Sequence, residues 1–484
     1  MSLARKVAHN TLIQFVGKGI GMVLALVTVS LMLRYLGQSG FGQYTTIMAY
    51  LSVFSIMADL GLYLVVTREI SKKNIDQDKF VSNAMTIKGL SGLLILTIGS
   101  LVIWLFPYDP IVKWGVVVGA ASYLFILLNQ TLIGVFQKYF SMYKVAVAEV
   151  AGRIVWLVAV ILVINANASI LYMIFGIALS NFVNFLVLFL YSRKYVKVKL
   201  AFDFALWKKI LIMTAPLAFS VVFNLIYFKV DTLFLSIMKS ESDVGVYGAA
   251  YKVLEVLITF AAIFAGLLLP VMSKFFEEDR KKFEEIYKKG FDILIIFVIP
   301  LIIGTLFLAE PIMAFFGGSD FSDSGNVLKL LIIATGAIFF SHLFGNAAVA
   351  ANKQHKTMWV YIFTAILAVV LCLWLIPKYS YYGAAISTVV SEVAVAVLTA
   401  LIIWKLEKVG LNYKIAGKSL IAGIFMAIAL FIMPESWNFA IRGLIAVAVY
   451  FGIAFLIKAI LIGEVKEIIS LRKEELVKEG IKVK

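Results

Sequence analysis

Residues 244–270 read VGVYGAAYKVLEVLITFAAIFAGLLLP. Between Val244 and Pro270 the only charged side chains are Lys252 and Glu255. A helix of about 20 mostly apolar residues crosses the roughly 30 Å hydrocarbon core of a bilayer. The apolar pattern here is continuous, whereas a barrel strand would alternate. The stretch is predicted to be a membrane-spanning helix. Working outward, runs of the same kind fall at 8–33, 42–66, 80–106, 110–136, 142–164, 169–191, 207–238, 290–309, 326–351, 357–376, 381–404, 415–433 and 438–462. With 244–270 they predict about fourteen transmembrane helices; twelve spans plus two peripheral helices is the alternative count. The fold class is an all-α polytopic membrane protein.

Composition agrees. The chain has 484 residues, 62% hydrophobic and 15% charged, against about 45–50% and about 25% in soluble domains. A soluble domain, a disordered chain and a disulfide scaffold are excluded. The single cysteine, Cys372, rules out an internal disulfide and a cysteine-based metal site. A net charge of +16 in a soluble protein would raise nucleic acid as a partner. Here the basic residues sort by loop instead. With the N-terminus in the cytoplasm, inside segments hold 32 Lys and Arg, and outside segments hold five: Arg34, Lys113, Lys239, Lys378 and Arg442. The bias predicts a multi-pass cell-membrane protein with both termini cytoplasmic and no nucleic-acid partner. Arg5 and Lys6 resemble the start of a signal peptide, but the apolar run that follows is too long, so it is read as a retained first span.

The chain carries an internal repeat. Phe41-Gly42-Gln43-Tyr44 matches Val244-Gly245-Val246-Tyr247, 203 residues on. Gly176 to Ser180 matches Gly383 to Ser387, 207 residues on. Six spans per repeat is even, so both halves enter the membrane in the same sense. That predicts two six-helix lobes related by a pseudo-two-fold along the membrane normal. The lobes are 1–200 and 201–405, followed by two extra C-terminal helices (406–463) and a cytoplasmic amphipathic tail (464–484). Ser273–Lys289 is predicted to be a second amphipathic surface helix.

Ionisable groups within spans cost at least about 2.5–3.5 kcal/mol each at the centre, so they are candidates for function. Near helix ends, snorkelling is the competing reading. Lys18 lies roughly 15 Å into its span, counted at about 1.5 Å per residue. Asp59 sits in the inner half of the second span, with Arg68-Glu69 at its foot, and pairs with Lys18 on one reading. Lys229 and Asp231 are two residues apart and face different sides of a helix. Lys252 with Glu255, and Glu149 with Arg153, have the spacing of neutralising pairs. Glu392 and His342 are central in their spans. Lys88, Lys329, Lys458 and Arg442 are read as snorkelling. Pro216 interrupts the seventh span and is a candidate hinge; Pro300 interrupts the ninth. Gly17 and Gly21 permit close helix approach.

The sequence lacks a Walker A motif, His-Glu-x-x-His and Gly-x-Ser-x-Gly. It is read as not an enzyme, without cofactor or metal. The drive is then an ion gradient, the membrane potential or downhill flow.

Arg34 to Tyr44 (RYLGQSGFGQY), Asp59-Leu-Gly-Leu62, Val230-Asp-Thr-Leu-Phe234, Val244 to Glu255 and Tyr382-Gly-Ala-Ala385 together resemble the polysaccharide-transport branch of the multidrug/oligosaccharidyl-lipid/polysaccharide flippase superfamily, which includes O-antigen flippases. The resemblance covers essentially the whole chain. It implies flipping of a polyprenyl- or dolichyl-(pyro)phosphate-linked oligosaccharide from the inner to the outer leaflet by alternating access. Partners would be that lipid-linked oligosaccharide, membrane lipids and a coupling H+ or Na+, with the chain a monomer. On this reading Lys18, Arg68, Lys229 and Lys252 bind the headgroup. Asp59, Asp231 and Glu255 serve coupling or gating. The alternative is an ion-coupled multidrug or metabolite antiporter of the same superfamily.

Overall fold

A computed structural model describes residues 3–59, 61–70, 75–139, 141–411 and 413–459, leaving aside the side chains of 3–12, 14, 15, 64 and 215–228. The tail 464–484 and the side chain of the candidate hinge Pro216 lie outside what is described. Every long element within them is an α-helix. These are α1 (Leu3–Asp59), α2 (Leu62–Ile70), α3 (Gln77–Val102), α4 (Pro110–Lys138), α5 (Met142–Asn165), α6 (Ile170–Ser192), α7 (Phe204–Met238), α8 (Glu241–Glu278), α9 (Arg280–Gly317), α10 (Ser322–Ala350), α11 (Gln354–Glu407), α12 (Lys414–Ile432) and α13 (Phe439–Leu456). Eleven of them are long and apolar enough to cross a membrane. Two are broken by one residue of positive φ, α1 at Gly37 (φ 62°) and α11 at Ser380 (φ 49°), and hold two spans each. With the 35-residue α7 the spans number fourteen, and the chain is a multi-pass all-α membrane protein.

Helix starts follow local chemistry. Asp76, Asp109, Ser169, Asp203, Asp279 and Asn438 each accept a backbone N–H in the first turn of the helix that follows. They satisfy donors with no intrahelical partner, and the acidic caps favour the positive end of the dipole.

Two departures from the sequence reading have local causes. The sequence predicts the second span as one run, 42–66. The structure ends α1 at Asp59 and restarts at Leu62, with Gly61 at φ +82° between them. The sequence predicts Ser273–Lys289 as one surface helix. The structure divides it at Asp279, whose extended backbone (φ −153°, ψ 96°) caps α9. Phe283 and Tyr287 from its second half are buried in a core with Phe291 and Phe344, because this turn is the foot of a span.

The chain divides into two compact units, parted between Gly245 and Val246. In the first, α1 packs on α3, α4, α5 and α7, and α6 packs on α4 and α5. Its core gathers Leu62, Val66, Phe80, Leu132 and Phe136. In the second, α10 packs between α9 and α11. The last two helices, α12 and α13, pack on α9 through Met426, Tyr450 and Ile299. Their other faces expose Leu420, Ile424, Phe431 and Leu444, a surface suited to lipid and costly in water.

Two glycines allow close backbone approach in the first unit. A Cβ on Gly42 would lie 1.7 Å from the Glu241 carbonyl oxygen, and one on Gly245 would lie 1.9 Å from that of Gln38. The contacts are reciprocal at the repeat offset of 203 residues: Gln38 corresponds to Glu241, and Gly42 to Gly245. Ser39 Oγ and Gln43 Nε2 donate to the Glu241 carboxylate at 2.9 and 2.8 Å, and Ser242 Oγ donates to Gln38 Oε1 at 2.5 Å.

The linker after α6 runs extended along α3. The N–H groups of Lys197, Lys199, Ala201 and Asp203 donate to Asp78, Ser82, Thr86 and Asn83 at 2.9–3.1 Å. Asp78, Ser82 and Thr86 recur every four residues and so share one helix face. Lys79 closes the linker by an ion pair to Asp203 at 2.7 Å. That bond, helped by the Leu206 N–H, holds the Asp203 carboxyl below the ordinary carboxylate range.

Candidate functional site

Building a polar site inside a membrane requires bringing ionisable side chains from separate spans together, since each alone is costly. The structure does this most completely around Asp59. The carboxylate ends the helix 38–59. Lys88 from α3 reaches it with Nζ 2.5 Å from Oδ1, and donates to Gln130 Oε1 of α4 at 3.1 Å. The Lys88 side chain is 0% exposed and that of Asp59 is 16% exposed. Ser91, one turn on from Lys88, donates Oγ to the Ala58 carbonyl at 3.2 Å. The sequence reading paired Asp59 with Lys18; the partner is Lys88. It read Lys88 as snorkelling, yet the ammonium stays in the protein because a carboxylate and an amide oxygen meet it there.

Lys18, half-buried in α1, lies instead within electrostatic reach of Glu149 on α5, together with Arg153. Arg153 Nη1 donates to the Gly21 carbonyl at 2.9 Å. Gly17 lets α1 approach Ala146 of α5, where an added Cβ would stand 2.8 Å from the Ala146 Cβ. The Gly17–Gly21 face therefore packs α1 on α5.

Arg68, in the last turn of α2, is exposed and pairs with buried Glu69 at 3.2 Å. Its Nη2 also lies 3.9 Å from Met213 Sδ of α7. Asp231 is buried in α7, its Oδ1 accepting the Thr232 N–H at 2.5 Å and the Thr232 hydroxyl at 3.2 Å. Lys229 is half-buried on the same helix. In the second unit Lys252 and Glu255 form the expected i,i+3 pair at 2.8 Å, both partly exposed. Glu392 is buried in α11, and Tyr361 lies in its electrostatic field. Arg442, also read as snorkelling, is buried, and its Nη2 donates to the Leu430 carbonyl at 3.2 Å. It closes the carbonyl end of α12, as a cation there should.

Geometry therefore groups Asp59 with Lys88 and Gln130, Lys18 with Glu149 and Arg153, and Lys252 with Glu255. Gln130 and Lys88 are the members that sequence reasoning missed. The signal available was that Lys88 lies well inside its apolar run, at 80–106.

The sequence profile of the polysaccharide biosynthesis protein family matches residues 7–276, more than half of the chain. The chain belongs to the polysaccharide biosynthesis protein family. A second profile, MatE, matches residues 216–374. Among relatives of this family member, the "Probable low-salt glycan biosynthesis flippase Agl15" of Haloferax volcanii is 22% identical over 435 residues, 88% of this chain and 89% of its own length. The capsular polysaccharide biosynthesis protein CapF of Staphylococcus aureus is 22% identical over 345 residues, 70% of this chain and 86% of its own. The fold is similar to that of the lipid II flippase MurJ, solved in an inward closed conformation, with a TM-score of 0.79 and 16% identity over 92% of this chain and 98% of that one. An inward-facing multidrug resistance MATE family transporter aligns at a TM-score of 0.62 and 15% identity, covering 82% of this chain and 99% of the other.

Proposed function

We propose that this chain is a flippase that carries a polyprenyl- or dolichyl-(pyro)phosphate-linked oligosaccharide from the inner to the outer leaflet by alternating access, for export of a cell-surface glycan. The observation that carries the reading is the near full-length relation to a protein named as a probable glycan biosynthesis flippase, on a fold similar to that of a lipid II flippase. The chemistry agrees. Lys18, Lys229 and Lys252 lie within spans, and cations in a low-dielectric cavity attract a pyrophosphate more strongly than in water. Arg68 is exposed at the end of α2 and suits a first contact at the cytoplasmic mouth. On this reading Asp231 and Glu255 serve coupling or gating, and Pro216 serves as a hinge. The excess of Lys and Arg in one set of loops supports a cell-membrane orientation with both termini cytoplasmic. An inside-negative potential then favours outward passage by about 2.3 kcal/mol per negative charge per 100 mV.

The likeness to MATE transporters supports a second reading, an ion-coupled antiporter of cations. Binding separates the two. Purified chain in nanodiscs should bind a polyprenyl pyrophosphate in competition with inorganic pyrophosphate and ignore a lipophilic cationic dye. Dye binding without pyrophosphate-lipid binding would reverse the assignment.

A further inference from the structure

A helix that ends inside the membrane leaves its last carbonyls without intrahelical donors, and its dipole makes that end negative. Broken spans of this kind build cation sites in secondary transporters, from carbonyl ends and nearby side-chain oxygens. The end of α1 at Asp59 has these parts. Asp59 offers a carboxylate, Gln130 offers an amide oxygen, and the span is interrupted before Gly61. The centre of the set is filled by the Lys88 ammonium, fully buried and within 2.5 and 3.1 Å of the two oxygens. An ammonium and a monovalent metal ion seek the same oxygen donors and carry the same charge.

We propose that Lys88 is a tethered cation occupying a monovalent-cation site formed by Asp59 and Gln130 beside the end of α1, so that wild-type protein carries its cation covalently and binds neither Na+ nor K+ there. Asp59 is then a permanently compensated anchor, which removes it from the residues that would exchange a coupling ion. The consequence for transport, flipping that needs no Na+, rests on the flippase reading above. The site itself does not. The structure distinguishes this arrangement from a surface ion pair, since no part of the Lys88 side chain reaches solvent. Removing the lysine side chain leaves a cavity with a carboxylate in it, and a small cation fits that vacancy where a larger organic cation does not.

The test uses full-length chain in nanodiscs, with thermal unfolding followed in NaCl, KCl or N-methyl-D-glucamine chloride at equal ionic strength. Wild type should show the same midpoint in all three. Lys88→Ala should be less stable in N-methyl-D-glucamine and rise by about 5 °C, saturably, in Na+ or K+. The double variant Asp59→Asn/Lys88→Ala should lose that response. Lys88→Ser, which keeps a polar lining, is prepared alongside. If either single variant folds only when purified in Na+ or K+, that is the expected result in stronger form. Folded single variants without a cation-specific rise, or single variants that no salt recovers, would overturn the proposal. So would a Na+-specific rise in wild type that Asp59→Asn abolishes. In liposomes, flipping by wild type should be equal with Na+ and N-methyl-D-glucamine, and flipping by Lys88→Ala should require Na+ or K+. Absence of flipping by wild type in every salt would sink the flippase reading and leave the unfolding data to decide the cation site.

Discussion

Replacing Gly42 with alanine puts a Cβ where the Glu241 carbonyl oxygen already is. The added atom would stand 1.7 Å from that oxygen, and carbon–oxygen contacts of this kind do not fall below 3.0 Å. The α7–α8 turn must therefore withdraw by about 1.3 Å, a shift that overpacking data price at about 1–3 kcal/mol. Withdrawal also strains the bonds from Ser39 and Gln43 to the Glu241 carboxylate, each worth about 1 kcal/mol net. A central value of about 2 kcal/mol corresponds to a change of about 30-fold in the fraction of molecules with this contact open. The readout is the rate at which a cysteine at Ser242, tied to Gln38 in the closed contact, reacts with a membrane-impermeant maleimide. Gly42→Ala and Gly245→Ala should each raise that rate about 30-fold, because the two contacts are reciprocal. Gly19→Ala, where an added Cβ meets nothing within 4 Å, should leave it unchanged. Equal labelling in all four backgrounds would refute the packing argument.

Other expectations follow from single contacts. Asp203 has its carboxyl lowered by Lys79 and the Leu206 N–H, so its stabilising contribution is present at neutral pH and lost as pH falls through the lowered value, below the ordinary carboxylate range. Amide-exchange protection of Lys197, Lys199 and Ala201 should hold between pH 7 and 5, fall in that acid range, and lose this acid step in Asp203→Asn. Gly383→Ala would set a Cβ 2.4 Å from the Leu375 carbonyl oxygen, and should cost about 1–3 kcal/mol. It should lower the thermal midpoint and the yield of folded protein, while Gly417→Ala, with open space around it, should do neither. Lys252→Gln leaves Glu255 without its 2.8 Å partner on a partly exposed face. That loss should change stability by at most about 1 kcal/mol, so any large effect on lipid-headgroup binding would be functional.

The spans were legible in the sequence because a bilayer imposes one unambiguous pattern, a long apolar run. The pair Lys252–Glu255 was legible for a related reason, since its spacing lies within one helix. What escaped were features that depend on two helices at once. Asp59-Leu-Gly-Leu62 reads as a continuous apolar stretch, and only the left-handed backbone of Gly61 shows that the helix ends there. Lys88 and Arg442 read as snorkelling residues because a sequence does not show which acceptors neighbouring helices offer. Their burial is decided by acceptors on neighbouring helices, Asp59 and Gln130 for one and the Leu430 carbonyl for the other. The repeat was legible as an offset of 203 residues. Its structural meaning, two glycines each admitting the other repeat's carbonyl, appears only in the folded chain.

The central claim is tested most directly by reconstituting the chain in liposomes with a fluorescent polyprenyl-pyrophosphate oligosaccharide and scoring exchange between leaflets, with and without an imposed potential. The account predicts exchange that an inside-negative potential accelerates in the outward direction and that Lys18→Ala or Lys229→Ala suppresses. No exchange, together with efflux of a cationic dye under a proton gradient, would contradict it and assign the protein to the antiporters.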